Sequence, residues 1–313
     1  MHQFNINYFL LVLTTFFLAS CEDVVNLPVD SEPELVVFSN FSDQNSLEVY
    51  VYKTRSILSN EPTEYVTDAV VKVYAGGLLL EVLQVFEPDA SLHLSPYYKT
   101  SNLTPEFDKE YTIEVKVEGY QTITAKNSIP TPVNLEDVFF EPQVTVGKGN
   151  EVVVNFYVSV SLSDPVGIEN YYHLRFYQEL TPYTVVSPSD TLFGTPYLEH
   201  PSNVDKVDEN APPIKYNNDQ SYLIKDIQFE GQYTTLDFTG MYSFDPAATL
   251  PGRFLIELRT VSKAYYLYHE SLNRQNQNGG SVGEGDVVFN NIDNGVGNFS
   301  GFTSKVNSFK LTD

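Results

Sequence analysis

The sequence predicts a mostly β fold, with two immunoglobulin-like β-sandwich domains and one short helix near the C-terminus. Three observations carry that expectation. Short apolar stretches alternate with polar residues at the period of a strand, and turn residues interrupt them at strand-length intervals. The chain also holds 22 Tyr and 21 Phe with many Val and Thr, side chains that suit a half-buried pleated surface.

The elements follow in order. ELVVFSNF (34–41) and SLEVYVYK (46–53) read as strands parted by the turn residues Ser42, Asp43, Gln44 and Asn45. In AVVKVYAGGLLLEVLQVF (69–86), Gly76-Gly77 between two apolar runs signals a hairpin. YTIEVKV (111–117) puts Tyr111, Ile113, Val115 and Val117 on one face, and Thr122 to Ala125 reads as the next strand. Strands at this spacing within about 100 residues fit a sandwich. Pro130 and Pro132 cannot sit in a central strand, so the domain boundary is expected there, with one domain over 34–130 and a second β-rich domain over 131–313.

In the second domain, EVVVNFYVSVSL (151–162) alternates Val152, Val154, Phe156, Val158 and Val160 on one face. YYHLRFYQ (171–178), YTTLDFTG (233–240) and RFLIELRTV (253–261) are further strands, while residues 181–221, rich in Pro, Asn and Asp, read as long loops or an insertion. A helix is expected from an N-cap at Ser262 to about Gln275, with Tyr265, Tyr268 and Leu272 on one face and Gly279-Gly280 ending it. Asn294-Gly295 signals a type I′ hairpin between VVFNNI and VGNFSGFTS.

The N-terminus carries the one assignable chemistry. Residues 1–20 contain no Asp, Glu, Lys or Arg, and Phe9 to Leu18 form an apolar run of ten residues. That is too short for a bilayer span, which needs about 20, but suits the apolar core of a signal peptide. Leu18-Ala19-Ser20-Cys21 then resembles the bacterial lipobox, whose small residues admit the peptidase and whose thiol accepts a diacylglyceryl group. Residues 1–20 are thus read as a signal peptide and Cys21 as the lipid attachment site. The missing basic residue before the apolar run departs from the usual signal. Residues 21–33 form an acidic tether, kept from helix by Pro28 and Pro33.

Composition limits what the body does. Of 313 residues, 42% are hydrophobic and 19% charged, a globular balance. Lys and Arg number 18 against 41 Asp and Glu, giving a charge of −23 that repels nucleic acid and anionic membrane. A single cysteine permits no internal disulfide, so stability must come from core burial.

The search for a chemical centre yields no catalytic residue, metal set or cofactor motif. His2, His93, His173, His200 and His269 are scattered, without HExxH, CxxC, GxSxG or a phosphate loop. His269-Glu270 alone does not make a metal site. Asp205, Asp208 and Glu209, and likewise Asn291, Asp293 and Asn294, offer oxygens to calcium but lack EF-hand spacing, so a solvated loop and a turn are the plainer readings. Asp190-Thr191-Leu192 resembles a short O-glycosylation motif. Tyr97-Tyr98, Tyr171-Tyr172 and Tyr265-Tyr266 could stack on sugars, although such pairs in strands usually put one ring in the core and one outside. The absence of Trp argues against a dedicated carbohydrate module.

Several segments in order resemble the outer-membrane lipoprotein family known as domain of unknown function 4249. They are Cys21 with its acidic tether, PELVVFSNFS, KTRSIL (53–58), DAVVKVY (68–74), GYQTITAKNSIPTPV (119–133), SDPVGIENYYHLRFY (163–177) and NIDNGVGNFSGF (291–302). The resemblance implies an outer-membrane lipoprotein whose gene commonly lies beside a TonB-dependent transporter, and defines no catalytic residue. The expectation is a lipid-anchored, non-catalytic accessory or binding component of a TonB-dependent nutrient-uptake system. A cell-surface adhesin or assembly component is the alternative, and a glycan hydrolase using a loop carboxylate pair is a third.

Overall fold

Strand-period alternation sets the architecture. The computed structural model describes residues 32–56, 59–87, 94–277 and 287–311, which contain 19 strands and one α-helix. The signal segment, Cys21 and the tether as far as residue 31 lie outside the described residues, as do His93 and Gly279-Gly280.

The first half contributes β1 (Leu35–Ser42), β2 (Glu48–Lys53), β3 (Val70–Ala75), β4 (Leu78–Val82), β5 (Gln84–Phe86), β6 (Tyr97–Lys99), β7 (Glu110–Lys116) and β8 (Ile123–Ser128). Strands β4-β3-β7-β8 form one layer, and β1-β2-β6-β5 belong to the facing one. Tyr111, Ile113 and Val115 of β7 meet Leu35, Val37, Val49 and Val51 in the core between them. Gly76 and Gly77 turn the β3–β4 hairpin with φ of 56° and 79°, which side chains with a Cβ resist.

The second half contributes β9 (Leu135–Val146), β10 (Val152–Ser163), β11 (Tyr171–Ser187), β12 (Asp190–Phe193), β13 (Tyr197–Glu199), β14 (Asn203–Lys206), β15 (Ile214–Tyr216), β16 (Ser221–Lys225), β17 (Tyr233–Phe244) and β18 (Thr249–Val261). Helix α1 (Lys263–Gln277) and β19 (Val296–Lys310) follow. The layer β14-β17-β10-β9 packs Val154, Phe156, Val158 and Val160 onto Tyr172, Leu174, Phe176, Phe254 and Ile256 of the facing sheet. Phe140 and Phe254 stack there at 4.5 Å. Ser262 begins α1, its carbonyl accepting from the Tyr266 amide at 3.1 Å.

Residues 181–221 depart from the expected loops. They carry the end of β11 and the short strands β12 to β15, which pair along the sheet edges. Strands of three or four residues are too brief for alternation to register, and Pro, Asn and Asp punctuate them.

The tail departs further. Asn294 does turn the chain, with φ of 62°, but no strand precedes it and no hairpin forms. Asp293 and Thr124 instead exchange backbone hydrogen bonds at 2.8 and 3.3 Å, and the Asn294 amide donates to Thr122 at 3.0 Å, stitching the tail to β8. Beyond the turn, β19 pairs in parallel with β1 over 296–302 and antiparallel with β18 over 302–310. A single sheet therefore runs β15-β16-β11-β18-β19-β1-β2-β6-β5 through both sandwiches. The expected division at Pro130 assigned the whole tail to the second unit, whereas Ile292 and Phe299 sit in the first core. Gly297 and Gly301 allow this, because an added Cβ would collide with the Val37 carbonyl in one case and the Ser128 carbonyl in the other.

Phe299 stacks on Phe41 at 4.6 Å, so Phe299→Ala should cost about 3–5 kcal/mol. Removing the chain from residue 296 onward should leave neither half cooperatively folded, as read by thermal denaturation and limited proteolysis. A first sandwich that melts normally without β19 would refute the shared-strand account.

Candidate functional site

The densest set of titratable side chains lies where α1 covers the second face of the long sheet. Period-two geometry assembles it. On β11, Tyr172, Leu174 and Phe176 point into the sandwich, so Tyr171, His173, Arg175 and Tyr177 point the other way. Register places His173 opposite Arg259 and Arg175 opposite Glu257. Ser221 on β16, Ser304 on β19 and Tyr265 and His269 on α1 complete the set.

The groups satisfy one another. Arg175 donates to Asp219 through Nε at 3.2 Å and Nη2 at 3.0 Å, and its Nη1 lies 3.6 Å from Glu257. Glu257 also accepts from Arg259 Nε at 2.9 Å, Tyr177 at 3.0 Å and Ser304 at 2.6 Å. Burial alone would raise the Glu257 carboxyl, but Arg259, Ser304 and Arg175 hold it below the usual carboxylate range. His173 is enclosed between the Tyr265 hydroxyl at 3.0 Å and the Ser221 hydroxyl at 2.6 Å. Burial, then His269 and the two arginines, keep its ring neutral, far below its ordinary value. Burial also pushes His269 down to about 4.

Ser221, His173 and Asp219 share the residue types of a nucleophile triad but not its wiring. In a triad the carboxylate orients the histidine and the histidine activates the serine. Here Ser221 itself donates to Asp219, and the second nitrogen of His173 faces Tyr265. Ser221 is wholly buried, so its hydroxyl presents no face to a substrate. The arrangement serves to seat α1 on the sheet with balanced charge.

The residues singled out in the sequence are dispersed. The His200 ring lies tilted against Tyr177, centroids 4.6 Å apart, at the rim of this network, and the Glu270 carboxylate pairs with Arg274 at 3.0 Å. Asp205 is held by Lys215 at 2.9 Å, which keeps its carboxyl low, while Asp208 accepts from the Asn210 amide at 2.9 Å and the Glu209 carbonyl accepts from Lys206 at 3.1 Å. Asn291 exchanges two hydrogen bonds with the Phe299 backbone, at 2.8 and 3.0 Å. Among the described residues, no three His, Cys, Asp or Glu side chains are disposed to hold a metal ion. Asp190-Thr191-Leu192 opens β12 on an exposed hairpin. Tyr98 is buried with Tyr97 half-exposed, as expected, but Tyr171-Tyr172 and Tyr265-Tyr266 are buried throughout because α1 covers the second face. Arg175, Asp219, Ser221 and Glu257 were not singled out from sequence. For Arg175 and Glu257 the one signal was charge inside apolar strands, in HLRFY and LIELRTV, while Asp219 and Ser221 carried none.

Breaking a buried ion pair on one side costs about 3–5 kcal/mol, so Glu257→Gln should lower unfolding stability by that order. A fully folded-like denaturation midpoint in that variant would contradict the network's role. For His269 the folded value is depressed from 6.5 to about 4, so its contribution is complete above 6.5 and lost as pH falls toward 4. Thermal stability should decline across that window, and His269→Gln should flatten the slope.

No curated protein matches the chain. A solved structure titled "Biofilm associated protein - B domain" aligns with 87% of this chain and 85% of its own at 6% identity, with a TM-score of 0.15. No helix among the described residues is long and apolar enough to cross a membrane. The family model described as "Domain of unknown function (DUF4249)" matches residues 22–308, nearly the whole chain following Cys21, and the protein therefore belongs to that family.

Proposed function

We propose that this chain is a lipid-anchored outer-membrane lipoprotein acting by binding, as an accessory component of a TonB-dependent nutrient-uptake system. The observation that supports it best is the division of labour among side chains. The clustered ionisable groups beneath α1 are spent on one another, while large apolar side chains crowd the run from β4 to β5 and the β11–β12 hairpin. Leu78 is 72% and Leu79 51% exposed in the run from β4 to β5, and Leu192 and Phe193 are 61% and 62% exposed on β12. Strand β4 edges one layer of the first sandwich and β5 edges the other, so residues 78–86 present a double open edge. Exposed apolar edges of this kind pair with a partner chain or invite aggregation.

The lipobox reading supplies the anchor. A diacylglyceryl group on Cys21 with an N-linked chain exceeds the two signals needed for stable attachment. The transporter partner rests on the family resemblance, and the acidic tether gives the body reach from the membrane.

Cys21→Ala should leave an unprocessed precursor without acyl label in membrane fractions. Crosslinking followed by purification of the wild-type chain should recover a TonB-dependent transporter, and Leu79→Glu should reduce that recovery severalfold. Persistent acylation of the alanine variant would move the anchor elsewhere. Repeated failure to recover a transporter, with adhesion lost on deletion, would favour the adhesin reading.

A further inference from the structure

The outer face of the second sandwich carries a depression of about 430 Å³, apart from the charged network beneath α1. It is built from two adjacent rungs crossing four strands. One rung reads Gln143, Asn155, Met241, Asn203, and the next reads Glu141, Tyr157, Thr239, Asp205. Strand spacing and rise make such a patch about 14 Å by about 7 Å. Gly240 lies between the rungs, and the Cβ it lacks would point to the core side, where the Phe156 ring takes that space.

Opposite charges facing each other across a sheet can pair and add a fraction of a kcal/mol. Here Glu141, Gln143, Asn155 and Thr239 make no side-chain hydrogen bond or ion pair with any described residue. The far wall, in contrast, is fixed. Lys215 donates to Asn203 at 3.1 Å and to Asp205 at 2.9 Å, and the Asn203 amide donates to Asp205 at 2.5 Å. Tyr157 is also held, its hydroxyl donating to Asp237 at 2.8 Å and its ring 6.2 Å from Phe139. A rigid ring and a rigid polar wall thus flank four unspent donors and acceptors.

The geometry points to a binding site for a neutral, polyhydroxylated ligand, a short stretch of glycan, lying across β9, β10, β17 and β14. Hydrogen-bonding chemistry selects this class. Amides and hydroxyls both donate and accept, as sugar hydroxyls do. The one cation at the wall, Lys215, is already committed to Asp205, and Glu141 adds an unpaired negative charge, so anionic ligands are disfavoured. The Tyr157 ring supplies an apolar surface for the face of a pyranose. The inference holds whether or not the chain partners a transporter.

The test uses the purified full chain with cello-, xylo-, malto- and manno-oligosaccharides, with oligogalacturonate as the anionic comparison, by calorimetry and saturation-transfer NMR. At least one neutral series should bind. Asn155→Ala combined with Gln143→Ala should weaken it at least tenfold at an unchanged melting temperature, since both side chains are exposed. Tyr157→Ala should weaken binding by a similar factor and remove saturation transfer to ring protons of the sugar. Binding by none of the neutral series, preference for oligogalacturonate, or full affinity in the Asn155 and Gln143 double variant would each overturn the proposal.

Discussion

One strand holds this molecule together. Strand β19 is the central seam of the long sheet, parallel to β1 on one side and antiparallel to β18 on the other. Its first half completes the first sandwich and its second half completes the second. Two bodies joined only by the Pro130–Pro132 segment would be free to hinge. A continuous hydrogen-bonded ladder replaces that hinge with a shared wall, and ties the last element made to the first.

The seam also explains the glycines of the tail. A parallel partner arriving from the far end of the chain has to approach β1 closely, and Gly297, with φ of 131°, takes a conformation other residues resist. Gly301 lets the same strand pass beneath the end of β8. Phe299, between them, uses the space to stack on Phe41. Small residues and one large ring alternate because backbone approach and core filling are required in neighbouring positions.

Covering the long sheet on both faces has an electrostatic consequence. Strand β11 cannot be apolar on one face and wet on the other once α1 lies over it. Its polar face is therefore buried, and every charge there must be matched. Arg175 and Arg259 against Asp219 and Glu257 achieve that balance, with His173 and His269 kept neutral by burial. The interior thus accommodates two of the chain's five arginines, while unpaired carboxylates such as Glu141 remain on the surface.

Local pattern was sufficient for much of this. Alternation in 34–41, 111–117, 151–162 and 253–261 identified strands and their inward faces, Gly76-Gly77 marked a hairpin, and Ser262 marked a helix start. These depend on short-range sterics and on which face is apolar, both written in adjacent residues. The short strands of 190–216 escaped because three or four residues carry no measurable period. Asn294-Gly295 misled because a turn residue fixes a bend, not the partner of the strand that follows. Sequence by itself determined a β-rich chain with one helix, and its family. Tertiary structure alone decided that the tail belongs to both sandwiches, that Arg175 meets Asp219, and that two rungs of β9, β10, β17 and β14 share one depression. Those pairings join residues tens to hundreds of positions apart, and only long-range register, set by the packing of whole sheets, brings them together.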